Sequence, residues 1–109
     1  MQAGRLKILL SFLEEEPKDP FNRYAVAMEL IKEDKREALK HLEILLKSDP
    51  EYLPTYYQAG QIYFDMDQYE KAIDIYDKGM SIAVQQNNDK ILQELKGARQ
   101  LALDEQEDW

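Results

Sequence analysis

Residues 59–79 read AGQIYFDMDQYEKAIDIYDKG. The small pair Ala59-Gly60 precedes Tyr63, the small residue Ala72 precedes Tyr76, and the stretch closes on Gly79. Small side chains in helices mark places where backbones approach closely, and aromatic rings fill the space that remains. Gly60 sacrifices up to about 1 kcal/mol of helix propensity. Close packing must outweigh that, with two helices brought to the short end of the usual 8–10 Å separation. Asp67-Gln68 interrupts the pattern as a short polar turn, so the stretch reads as two paired helices.

Outward from this pair, the rest of the 109 residues reads as helix too. Four prolines cluster in two places, Pro17 with Pro20 and Pro50 with Pro54, where helices meet. Segment one, residues 5–16, carries Leu6, Leu9, Leu10 and Leu13 at i, i+3, i+4, i+7 spacing. Segment two starts near Pro20 with Asp19 as N-cap and carries Tyr24, Ala27, Met28 and Ile31 to about Lys32. After the turn Glu33-Asp34-Lys35, segment three spans 36–47 with Ala38, Leu39, Leu42, Leu45 and Leu46 on one face. Segment four spans 53–66 with Tyr56, Ala59, Gly60, Tyr63 and Phe64. Segment five spans 69–86, with Ala72, Ile73, Tyr76, Met80 and Ala83. Asn87-Asn88-Asp89 reads as a loop and N-cap, and segment six spans 90–105 with Leu92, Leu95, Ala98 and Leu101 inward. The acidic tail 104–109 reads as frayed.

Segments two and three align with four and five. Ala38 and Ala72 lie 34 residues apart, and Leu39–Ile73, Leu42–Tyr76 and Leu45–Gly79 follow in step. Ala27–Gly60 and Leu30–Tyr63 are 33 apart, the difference falling in the turn. A period of about 34 in paired helices is the signature of the tetratricopeptide repeat, and the chain resembles that family over residues 5–103. The second repeat matches the family pattern through Tyr56, Ala59-Gly60, Tyr63, Tyr69, Ala72, Tyr76 and Gly79, with Val84 where the closing proline would stand. The first matches through Val26-Ala27, Leu30, Ala38, Leu42, Leu45 and a closing Pro50.

The resemblance implies an all-α fold: a right-handed superhelical stack of antiparallel helix hairpins, about six helices in a single domain. Residues 5–18 would form an N-terminal half-repeat, 19–52 and 53–86 two full repeats, and 88–105 a capping helix. Tyr56, Tyr63 and Tyr76 are expected in the core, the last two plugging the space between hairpins. The resemblance also places a concave peptide groove on the first helix of each repeat, at Tyr24, Met28 and Ile31 and at Tyr57, Gln61 and Phe64. Some family members clamp a partner's terminal carboxylate with Lys and Asn in the groove. Those positions hold Tyr24, Met28, Tyr57 and Gln61 here, though Arg23 and Lys32 lie nearby in sequence.

Composition bounds the function. Net charge is −8, which argues against a phosphate-backbone binder and against electrostatic membrane binding. No apolar run approaches the roughly 18 residues of a membrane span, and no signal peptide is recognisable, so a cytoplasmic soluble protein is expected. There is no cysteine, hence no disulfide or thiolate site, and His41 is the single histidine. Asp65 and Asp67 lack the spacing of a calcium loop, Glu14-Glu15-Glu16 reads as a solvated charge run, and no Gly-rich phosphate loop exists. No acid–base–nucleophile set is present. No catalysis, cofactor or metal is expected. The expected function is binding of a protein or peptide partner in the groove. The alternative is a homo-oligomeric, possible homodimer module that associates through segments one and six.

Overall fold

The structure is a computed structural model and describes residues 3–107. It contains six helices: α1 (Ala3–Glu15), α2 (Pro20–Leu30), α3 (Lys35–Ser48), α4 (Pro54–Asp65), α5 (Tyr69–Gln85) and α6 (Asp89–Glu107). The described residues contain no strand. They divide between Tyr52 and Leu53 into two compact units.

In the first unit, α2 packs on both α1 and α3. Asp19 caps α2, its Oδ1 accepting the Phe21 N–H at 3.0 Å with Pro20 as the first helical residue. Asp34 caps α3 through the Glu37 N–H at 3.1 Å, so Lys35 opens the helix rather than ending the turn. Leu13, Val26, Ala27, Ala38, Leu42 and Leu45 form the core. The connections on either side of α2 are short, which forces the contacting helices to reverse direction.

Leu10 departs from the expected stripe and is exposed. The line Leu6–Leu9–Leu13 meets α2, and Leu10 lies roughly 100° around the helix from Leu9. A helix covered by one neighbour buries a narrower arc than its leucine pattern spans.

In the second unit, α5 lies against both α4 and α6. Tyr76 is fully buried, and its ring lies directly over Gly60, within the α4–α5 pair. A methyl group at Gly60 would stand 2.7 Å from Tyr76 Cζ. Gly79 performs the same service twice, since a Cβ there would meet Tyr56 Cβ of α4 at 2.6 Å and Leu95 Cδ1 of α6 at 3.0 Å. Three helices converge at that point, and hydrogen is the only side chain that fits. Arg99 of α6 also pairs with Asp77 of α5.

The two turns of this unit share one solution. Asp67 and Asn87 adopt left-handed φ of 60° and 56°. Each follows a helix C-cap, and the next residue closes the turn: Gln68 N–H to Tyr63 O and Asn88 N–H to Ala83 O, both 2.9 Å. These are Schellman closures, with Asp and Asn replacing the usual glycine. Asn88 then caps α6 through the Ile91 N–H at 3.1 Å.

Three further expectations are corrected. Tyr63 is half-exposed, lying beneath the Lys71 ammonium at 5.5 Å, whereas Tyr56 and Tyr76 are buried. Leu101 is 60% exposed and Ala102 is buried instead. Six residues from Leu95 is roughly 240° of helix rotation, whereas seven brings Ala102 back to within about 20° of Leu95. Residues 104–107 continue α6 rather than fray, with Gln100 Nε2 donating to Asp104 Oδ1 at 2.9 Å. The expectation for Trp109 lies outside the described residues. At Val84, α5 does run on past the point where a closing proline would stand.

Candidate functional site

The six candidate residues fall in two sets of identical spacing, i, i+4, i+7, one on each repeat's first helix. In the first unit, Tyr24 and Met28 lie on α2 and Ile31 is its C-cap residue. All three are partly exposed, while Val26 and Ala27 between them are buried. The Tyr24 ring meets Tyr52 edge to face, with centroids 5.6 Å apart. Burial, then the neighbouring Tyr24 and Asp19, push the Tyr52 hydroxyl above its ordinary pKa. Tyr52 sits outside any helix, so helical periodicity gave no reason to connect it with Tyr24.

In the second unit, Tyr57, Gln61 and Phe64 lie on α4, all partly exposed, beside buried Tyr56, Ala59 and Gly60. Gln61 is tied to the core, because its Nε2 donates to Tyr76 Oη at 3.1 Å. Burial holds the Tyr76 hydroxyl far above its ordinary pKa, with smaller contributions from Tyr57 and Asp65. The Phe64 ring meets Tyr69 edge to face at 5.3 Å, and Tyr69 Oη donates to Asp67 Oδ1 at 2.9 Å. That bond, ahead of burial, raises the Tyr69 pKa.

Neither nearby cation stands apart from its surroundings. Lys32 Nζ lies 3.2 Å from Glu29 Oε1, and Arg23 Nη1 lies 3.0 Å from His41 Nδ1. Glu29 is the residue that sequence reasoning missed. It is 4% exposed, takes Arg5 Nε at 3.4 Å as well as Lys32, and leaves Oε2 buried with no hydrogen bond. Nothing in the spacing of α2 marks it, since its partners come from α1 and from the following turn.

A guanidinium only donates, so the contact with Arg23 makes Nδ1 of His41 the acceptor and places the proton on Nε2. Burial first, then the Arg23 charge, lowers the His41 pKa below 6.5. With the folded pKa depressed, the unfolded chain binds the proton more readily, so stability falls as pH drops through 6.5 and below. His41→Gln, which keeps an acceptor, is expected to show a shallower loss of melting temperature than wild type between about pH 7.5 and pH 5. Parallel slopes in thermal melts would refute this.

Among the described residues, no group of acidic or histidine side chains is placed to hold a metal ion. No helix of the described residues is long and apolar enough to cross a membrane.

Paired helices with a 34-residue period and small residues at their crossings define a helical-repeat protein. A tetratricopeptide repeat profile matches residues 53–83. The solution structure of a tetratricopeptide repeat domain protein from Salinibacter ruber is 41% identical, with a TM-score of 0.75, covering 80% of this chain and 89% of that one. A crystal structure of a Salinibacter ruber tetratricopeptide repeat domain protein is also 41% identical, with a TM-score of 0.74, covering 77% of this chain and 96% of that one. The chain belongs to the tetratricopeptide repeat family. The crystal structure of MamA protein, 22% identical with a TM-score of 0.68 over 95% of this chain and 60% of that one, shares the fold. No curated protein matches the chain. Members of this family are generally protein–protein interaction modules and typically not enzymes.

Proposed function

We propose that this chain is a non-catalytic adaptor whose α2 and α4 faces bind segments of a partner polypeptide. Tyr24, Met28 and Ile31 form one recognition strip, and Tyr57, Gln61 and Phe64 the other. The repeats that carry them are 19–52 and 53–86. One observation supports this above the rest: all six residues stay partly exposed at matched positions, with Val26 and Ala27 buried within one set and Ala59 and Gly60 within the other. Tyr offers rigid amphipathic area at low entropic cost, and Met adapts its shape to a partner. Ring contacts with Tyr52 and Tyr69 hold Tyr24 and Phe64 in fixed poses, which lowers the ordering cost of binding. Gln61 has one amide donor on Tyr76 and keeps its carbonyl and second N–H for a peptide backbone.

The test compares wild type with the Tyr24→Ala, Tyr57→Ala double variant in pull-downs from the source organism's lysate, followed by titration of the retained partner. A loss of at least tenfold, about 1.4 kcal/mol, is expected in a variant that still melts cooperatively. Equal retention by both proteins would exclude these faces.

A further inference from the structure

Outside the proposed strips, α1 carries an exposed apolar surface of its own. On α1, Ile8 and Phe12 are 57% and 50% exposed, on a line that also holds Arg5 and Glu15. These four residues follow i, i+3, i+7, i+10 spacing, so they form a single stripe. The stripe is centred roughly 110° around the helix from the Leu6–Leu9–Leu13 line that meets α2, with Arg5 at its α2 edge and Ile8 and Phe12 exposed. Asn22 Nδ2 lies within hydrogen-bonding distance of the Phe12 and Glu16 carbonyls, 3.4 and 3.2 Å away. That places the first turn of α2, with Phe21 59% exposed, beside the end of α1.

The order of residues along the stripe is its own complement. Reversed about residue 10, Arg5 exchanges with Glu15 and Ile8 exchanges with Phe12. We infer that the α1 stripe is a self-association surface whose occupant is the same stripe of a second copy, running antiparallel. Arg5 then faces the partner's Glu15, and Ile8 faces the partner's Phe12. The charges along the helix agree: Arg5 and Lys7 lie toward one end, Glu14 and Glu15 lie at the other, and Glu16 follows directly. An antiparallel pair joins opposite charges at both ends, whereas a parallel pair would set Arg5 on Arg5 and Glu15 on Glu15. The Arg5 side chain is 69% exposed although its Nε lies 3.4 Å from Glu29 Oε1, and a guanidinium carries five N–H donors, enough for a second carboxylate. A two-fold contact of this kind is closed, which limits the assembly to a dimer.

One 13-residue helix per copy gives a small interface. The expected Kd is roughly 100 µM, in the weak class below about 1,200 Å² of buried surface. Sedimentation equilibrium of the full chain up to about 1 mM should show the dimer, and Phe12→Glu should raise Kd at least tenfold. Phe12 is exposed, so the variant should keep the wild-type circular-dichroism melt, which separates lost association from lost folding. Orientation is tested by disulfide trapping, since the chain has no cysteine of its own. An equimolar mixture of Ile8→Cys and Phe12→Cys should cross-link between variants in preference to either variant with itself. A wild-type monomer throughout, a dimer that survives Phe12→Glu, or like-with-like cross-linking would each overturn the inference. None of these outcomes bears on the α2 and α4 strips, because no residue of the stripe belongs to them.

Discussion

Gly60→Ala is expected to lower the melting temperature by roughly 4–12 °C, the equivalent of about 1–3 kcal/mol of overpacking in a domain of this size. The methyl group would enter the Tyr76 ring, 2.7 Å from Cζ and 2.8 Å from Cδ1. A ring can swing aside only if space exists, and Tyr76 has none: it is fully buried and its hydroxyl is held by Gln61. Alanine's better helix propensity returns about 1 kcal/mol at most, so the clash decides the sign. Gly60→Leu should cost more again, and far more than Tyr56→Phe, which leaves every carbon of the packing in place. Thermal denaturation of the set checks the ranking. Shortening the obstacle with Tyr76→Leu should recover part of the Gly60→Ala loss, giving a non-additive double-mutant cycle. Strict additivity would mean that the ring does not set the α4–α5 distance.

Gly79→Ala should be at least as damaging, for a different reason. Its new Cβ would stand 2.6 Å from Tyr56 Cβ. A Cβ is fixed by its own backbone, so no rotamer change at Tyr56 removes it. Leu95 Cδ1, at 3.0 Å, can rotate only within a site where Leu95 is itself fully buried. Relief requires α4 or α6 to move away from α5, which opens gaps along both contacts. The expected loss is about 2–3 kcal/mol, near 10 °C, and trimming Leu95 to Ala should not recover it. A Gly79→Ala protein that melts with wild type would show that the three-helix junction is looser than the geometry states.

Much of this architecture was legible in the residues alone, and the reasons are local. Proline at the first turn of α2 and α4, Asp19 as cap, and leucines at helical spacing act within a few positions of themselves. The 34-residue offset of Ala38 and Ala72 adds a long-range constraint, because equal spacing demands equal packing. The failures are also physical. Periodicity says that a face is apolar, not how wide an arc its neighbour covers, which is why Leu10 and Leu101 were placed inside and lie outside. Tyr63, expected as a plug, sits under Lys71, while the Tyr76 ring lies against Gly60 within the α4–α5 pair. At the candidate site, the family resemblance points to six positions, all partly exposed, but not to their attachments. The Gln61–Tyr76 bond and the Glu29–Arg5 pair join residues 15 and 24 apart in sequence and depend on how particular helices face each other. Left-handed turns at Asp67 and Asn87 escaped notice because neither is glycine.

Within each unit, a helix finds its main packing partners next to it in the chain: α2 between α1 and α3, α5 between α4 and α6. Closing such contacts requires only short loops, so the entropic barrier to each is low. Folding should therefore be rapid, on the microsecond-to-millisecond scale of helical proteins with local contacts. The Schellman turns at Asp67 and Asn87 favour reversal of the chain before the helices meet. A nascent chain of this kind can pair each helix soon after it is made, with little time spent exposing Tyr56, Tyr76 or Leu95 to other chains.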